Sequence, residues 1–120
     1  MKTIHAVCTG NPATMSGWNE LPEAVRAERE AAGIRAWRDR VERNRSRIVE
    51  NGAPLGRTRS VSPAGIADIR NNMTAFTVVR ADRHEEAAQL FVDHPHFTIF
   101  PGDSTEVMEC LPIPEQPGRG

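Results

Sequence analysis

The densest group of chemically capable side chains in the sequence is Asp93-His94-Pro95-His96. A carboxylate beside an imidazole fixes its tautomer and raises its pKa, which suits general acid–base work near neutral pH. In an extended segment His94 and His96 would point the same way. The plainer alternative is a turn in which Asp93 bonds the backbone and His94 lies at the surface. His5 lies on an alternating segment, facing opposite to Ile4 and Ala6. It is either a packed strand histidine or, with His96, a polar member of an apolar pocket. Glu106 and Glu109 fall on opposite faces of the last alternating segment. One of them must turn inward and either meet an arginine, with Arg80 in reach, or take a raised pKa. The candidate catalytic residues are therefore Asp93, His94 and His96, and the candidate substrate-binding residues are His5, Arg80 and Glu109.

Other chemistries find less support. His94-x-His96 with His5 and a carboxylate could hold a divalent ion. No HExxH or paired CxxC pattern accompanies them, so the expectation is no metal and no cofactor. Cys8 and Cys110 have neither the spacing of a redox motif nor a nearby base, and are expected to act as small buried hydrophobes. No glycine-rich phosphate loop occurs.

The chain has 120 residues, enough for one domain and one core. Its net charge of −1 argues against a general nucleic-acid binder, which would carry a basic excess. No apolar run approaches membrane-spanning length, so no membrane partner is expected. The first ten residues lack the apolar stretch of a signal peptide, and the cysteine usage fits a reducing compartment, which makes a cytoplasmic location the expectation. Lys2 is the only lysine among 15 basic residues. That bias reflects coding preference unless the arginines converge in space to bind an anion.

The elements that must position these residues follow from patterning. Residues 3–8 alternate as a strand and stop at Gly10-Asn11-Pro12. Residues 11–20 read as a loop, with Trp18 pinned to the body. A helix is expected from Leu21 to Glu50, its stripe formed by Val25, Ile34, Trp37, Val41 and Ile48, with Gly33 as a candidate kink. Its second half carries Arg43, Arg45 and Arg47, a solvated face or a partner surface. Residues 57–62 read as a short polar strand and 63–72 as a connection. Residues 73–80 are the best strand in the chain. A helix over His84–Val92 follows, with Ala87, Ala88, Leu90 and Phe91 inward. Residues 97–100 are expected to be extended, and 105–111 to form the last strand. Residues 1–114 make the domain, and 115–120 are expected to be a disordered tail.

This order is βαββαβ, the ferredoxin-like pattern: α+β, with an antiparallel sheet and helices on one face. Strand 73–80 is apolar on both faces, so the second face needs cover. A homodimer closing two sheets into a dimeric α/β barrel supplies it.

The sequence resembles the YCII-related family. The likeness runs through MKTIHAV, Trp37, the turn Gly52-Ala53-Pro54-Leu55-Gly56, the segment ADRHEEAAQLFVDHPHF and the ending Glu106 to Pro114. It lies close to the branch marked by an Asp-Gly-Pro-Phe motif, although that tetrapeptide is absent here. The resemblance implies the dimeric α/β-barrel fold, a small-molecule ligand and, in some relatives, proton transfer by a His–Asp pair. One group of relatives removes halogen from a hydroxylated ring. Asp93 matches the aspartate of the family's Asp-Pro motif. The family's histidine after the first strand has no counterpart, because residues 9–50 contain none. The implied function is a cofactor-independent isomerase or lyase acting on a hydroxylated cyclic or aromatic compound. The alternative is a non-catalytic ligand-binding or dimerisation module serving a regulatory partner.

Overall fold

The computed structural model describes residues 1–114. The expectation of a disordered tail at 115–120 falls outside them. In chain order the elements are β1 (Lys2–Thr9), α1 (Pro12–Asn19), α2 (Glu23–Arg43), β2 (Ile48–Pro54), β3 (Thr58–Ser62), β4 (Gly65–Ile69), β5 (Met73–Ala81), α3 (His84–Gln89), α4 (Pro95–Thr98) and β6 (Ser104–Glu109).

β2, β5, β1 and β6 form one antiparallel sheet in that order. With α2 between β1 and β2, and α3 and α4 between β5 and β6, the fold is α+β and ferredoxin-like, the protomer architecture of the dimeric α/β barrels. The alternation of β1 decides which side is core. Ile4 and Ala6 are fully buried with Val79 and Ala81 of β5 and with Ala87 and Phe91 from the α3 region. His5 and Val7 take the opposite face with Phe76, Val78 and Met108.

Several boundaries differ from those read in the sequence. Residues 11–20 are not a loop: the Asn11 side chain accepts from the Thr14 N–H at 2.9 Å, and Pro12 starts α1. The long helix runs unbroken through Gly33 but ends at Arg43, where the Asn44 side chain donates back to the Arg40 carbonyl. A single 3₁₀ turn, Arg45–Arg47, then leads into β2. The second strand of the sheet is therefore 48–54, not 57–62. Ile48 and Val49 are β-branched, and pairing with β5 outweighs the helical periodicity that absorbed them.

Residues 58–62 pair instead with 65–69, inside the span read as a connection, and build a separate hairpin. It projects from the body: almost every residue in it is exposed, Val61 and Ile66 to 78% and 73%. The chain measures 62 × 41 × 18 Å with a radius of gyration of 17.3 Å, where a compact chain of this length would have about 13–14 Å. Residues 95–98 form a helical turn rather than an extended segment, because Pro95 opens a helix readily and the His94 ring caps it. α3 is shorter than expected, and Ala88 on it is exposed. No helix among the described residues is long and apolar enough to cross a membrane.

Candidate functional site

α2 packs chiefly against α4 rather than onto the sheet. The gap is a cleft of about 1020 Å³, walled by α2, the ends of β2 and β5, the start of α1, and the segment from His96 to Gly102. Ile34, Trp37 and Val41 line it from α2. They are the apolar stripe of that helix, turned toward a cavity instead of a packed core. Phe100 lines it too, and reaches this position by lying on Gly33, where an added Cβ would come within 2.5 Å of the ring. Trp37 and Phe100 meet edge to face with centroids 6.0 Å apart, and Trp18 packs on Phe100 from behind.

His96 is the candidate catalytic residue that this cleft contains. It is 6% exposed. Its Nε2 lies 2.7 Å from the Thr9 carbonyl, an acceptor only, so Nε2 must carry the proton and donate. The same carbonyl accepts from the Asp103 N–H at 2.8 Å, which uses both of its lone pairs and fixes it in place. In the neutral ring the tautomer then leaves Nδ1 as the acceptor. Among the described residues no fully buried side-chain nitrogen or oxygen lacks a partner, and Nδ1 of His96 has no partner there, so it keeps some contact with solvent. A histidine whose far nitrogen is locked by a backbone carbonyl is a positioned proton acceptor. The residue that orients it, Thr9, was not among those singled out from the sequence. It is joined to His96 only through a carbonyl, to which any residue type could contribute.

His94 has a different place. It is 5% exposed, edge-on to Trp37 at 4.5 Å, and its Nδ1 accepts from the His96 N–H at 3.0 Å. It caps α4 and does not line the cleft. Since 95–98 is helical, the two imidazoles do not point the same way as an extended segment would have placed them. Burial, with the Arg40 and His96 charges adding to it, pulls the His94 ring from 6.5 down to about 4. The unfolded chain therefore binds a proton that the folded chain refuses between pH 6.5 and 4. The stability held by neutral His94 is complete above about pH 6.5 and is lost as pH falls toward 4. Allowing for residual solvent screening, the loss should be about 2 kcal/mol. Thermal unfolding followed from pH 7.5 to 4 should show this slope. His94→Asn, which keeps a capping oxygen, should flatten it, and an equally steep slope in the variant would exclude His94 as its source.

Asp93 does not meet His96. It has φ 55°, a left-handed conformation that aspartate tolerates, and it lines a separate hollow with Asp39, Arg40 and Arg43. Its carbonyl accepts from Arg40, whose guanidinium also donates to the carbonyls of Leu90 and Val92. Asp93 thus shapes the chain that leads into His96.

The three candidate substrate-binding residues are also elsewhere. His5 lies on the open face of the sheet, edge-on to Phe76. Arg80 pairs with Thr3 at the other end of the sheet and donates to the Ser46 carbonyl at 2.9 Å. Glu109 lies opposite Ile4, also at that end, and pairs with Lys2 at 3.2 Å and His84 at 3.5 Å rather than with Arg80. Of the cysteines, only Cys8 is buried, and desolvation raises its thiol pKa against the hydrogen bond it shares with Thr105; Cys110 is exposed, contrary to expectation. Arg45 and Arg47 of the basic half pair with Glu42 and Glu86.

No protein-family model matches the sequence, and no curated protein does either. Among solved structures the chain is similar to 5-chloro-2-hydroxyhydroquinone dehydrochlorinase from Burkholderia phenoliruptrix AC1100, determined in complex with 2,5-dihydroxybenzoquinone. The identity is 16%, the match covers 88% of this chain and 89% of that one, and the TM-score is 0.50. At this identity the likeness is one of fold.

Proposed function

We propose that the protein is a YCII-related, cofactor-independent enzyme of isomerase or lyase type, moving a proton on a hydroxylated cyclic or aromatic compound bound in the cleft. The observation that carries this reading is the locked tautomer of His96, with Nδ1 as acceptor toward an otherwise largely apolar cavity. Trp37 and Phe100 offer aromatic edges and faces to a flat ligand. The shared fold with an enzyme that acts on a chlorinated hydroxyhydroquinone supports the substrate class by analogy.

In this reading Nδ1 of His96 takes a proton from a ring carbon or hydroxyl. The imidazolium that forms is stabilised by the Thr9 carbonyl already bonded at Nε2. His94 holds the start of α4, and so the His96 ring, in place. The working unit is a homodimer, in which a second copy covers His5, Val78 and Met108 on the open face of the sheet.

The test uses His96→Gln, which keeps an N–H donor for Thr9 but offers no comparable base. Wild-type protein should accelerate deuterium exchange into, or chloride loss from, hydroxylated and chlorinated hydroquinones. The variant should lose about 100-fold or more of that rate while still binding 2,5-dihydroxybenzoquinone by calorimetry. Equal rates in the two proteins would exclude His96 as the base. Failure of the wild type to bind would exclude the site.

A further inference from the structure

We infer that the ligand of the cleft carries an anionic oxygen, a carboxylate or an ionised hydroxyl, held by Arg38 and Arg70; this rests on the reading of the cleft as an aromatic small-molecule site. Two arginines from distant parts of the chain line the same cavity: Arg38 from the middle of α2, and Arg70 from the connection between β4 and β5. Neither makes an ion pair or a side-chain hydrogen bond among the described residues, whereas Arg40, Arg45, Arg47, Arg59 and Arg80 are each engaged.

Among the described residues the one acidic side chain lining the cleft is Glu42, and it is already committed to Arg45 at 2.6 Å. The remaining polar lining is neutral, chiefly Asn11, Asn51, Asn71 and Asn72 beside His96. Among the described residues the cleft therefore holds two positive charges with no free counter-charge. Its low-dielectric walls, built by Trp37, Phe76 and Phe100 among others, focus that potential. A guanidinium is a planar fork suited to a carboxylate or to adjacent ring oxygens. A flat organic anion satisfies both requirements at once: its ring lies against the aromatic side chains and its charge meets the arginines. Two of the chain's arginines thus line one cavity, as binding of an anion there would require.

An isosteric pair of probes separates charge from shape: 2,5-dihydroxybenzoate and 2,5-dihydroxybenzamide, titrated calorimetrically into wild type, R38Q, R70Q and the double variant. The acid should bind wild type at least 10-fold tighter than the amide, as a charge-assisted contact requires. Each single substitution should weaken the acid about 5- to 10-fold and leave the amide unchanged. Added salt should weaken the acid alone. Both arginines are exposed and make no bonds within the described chain, so the melting temperatures should stay within a degree or two and certify the fold. Acid and amide binding equally, in wild type and variants alike, would overturn the anionic assignment while leaving the cleft as a ligand site. If neither probe binds, the assignment falls together with the reading of the cleft.

Discussion

Gly52→Ala is expected to cost about 3–5 kcal/mol and to lower the melting temperature by about 12 °C or more, or to leave the chain unfolded. Gly52 lies within β2 where the register against β5 shifts between Glu50 and Ala53. It has φ 73°, and a Cβ placed there would fall 1.8 Å from the Phe76 carbonyl oxygen. Two penalties combine: a left-handed backbone that alanine resists, and a collision with backbone that cannot move without breaking the sheet. The bulge lets β2 bend, and the residues beside it, Asn51, Ala53 and Pro54, form one wall of the cleft. Gly56→Ala is the control. It has an ordinary φ and nothing within 4 Å of the added methyl, so its effect should be within about 0.5 kcal/mol of zero or slightly stabilising. Circular dichroism melts of the two variants settle the matter. A Gly52→Ala protein that melts like wild type would mean that the bulge is not needed.

The second large effect is expected at Gly102. A Cβ there would fall 2.2 Å from the His96 carbonyl oxygen and 2.4 Å from the ring at Cε1 and Nε2. The Gly102 N–H itself donates to that carbonyl at 2.9 Å, so the turn lies directly on the histidine. The ring cannot swing aside without giving up its bond to Thr9. Gly102→Ala should therefore cost about 2–3 kcal/mol from overpacking and the lost bond. It should also abolish binding of 2,5-dihydroxybenzoquinone, because the base and the adjacent wall move together. Calorimetry and a melt on the same preparation separate the two consequences. Normal binding by a destabilised variant would mean that His96 holds its position without the turn.

Much of the fold was legible in the sequence, for physical reasons that name their own limits. β1 and β5 are rich in β-branched and apolar residues, and short runs of that kind between turn formers read as strands. The βαββαβ order followed, and so did the sheet. The second strand was misplaced because 48–54 is irregular. It is interrupted by a bulge at Gly52, short of alternation, and joined to a helix whose periodicity carries through Ile48. The neighbouring hairpin, regular but without a packing partner, looked more like a strand of the sheet than the real one did.

At the site, His96 was visible as a chemically capable residue in a rare local cluster. Its partner was not, because a backbone carbonyl has no sequence signature. Asp93, chosen for its side chain, contributes its backbone. Arg38 and Arg70 were hidden among other arginines, and only the folded geometry distinguishes a charge facing a cavity from one facing water.

The position of β1 bears on how the molecule is made. It lies at the centre of the sheet, between β5 and β6, and its Cys8 sits 97 residues from its Thr105 neighbour. β1 thus waits for β6 before its second ladder is complete. At ribosomal rates that interval is roughly 5–20 s. Until β5 emerges, the apolar run through Ala6, Val7 and Cys8 has no strand to join. α2, whose hydrogen bonds are all local, can form within microseconds of emergence. The nascent chain is therefore helical before it has a sheet, and β1 lacks its full set of neighbours until β6 has emerged.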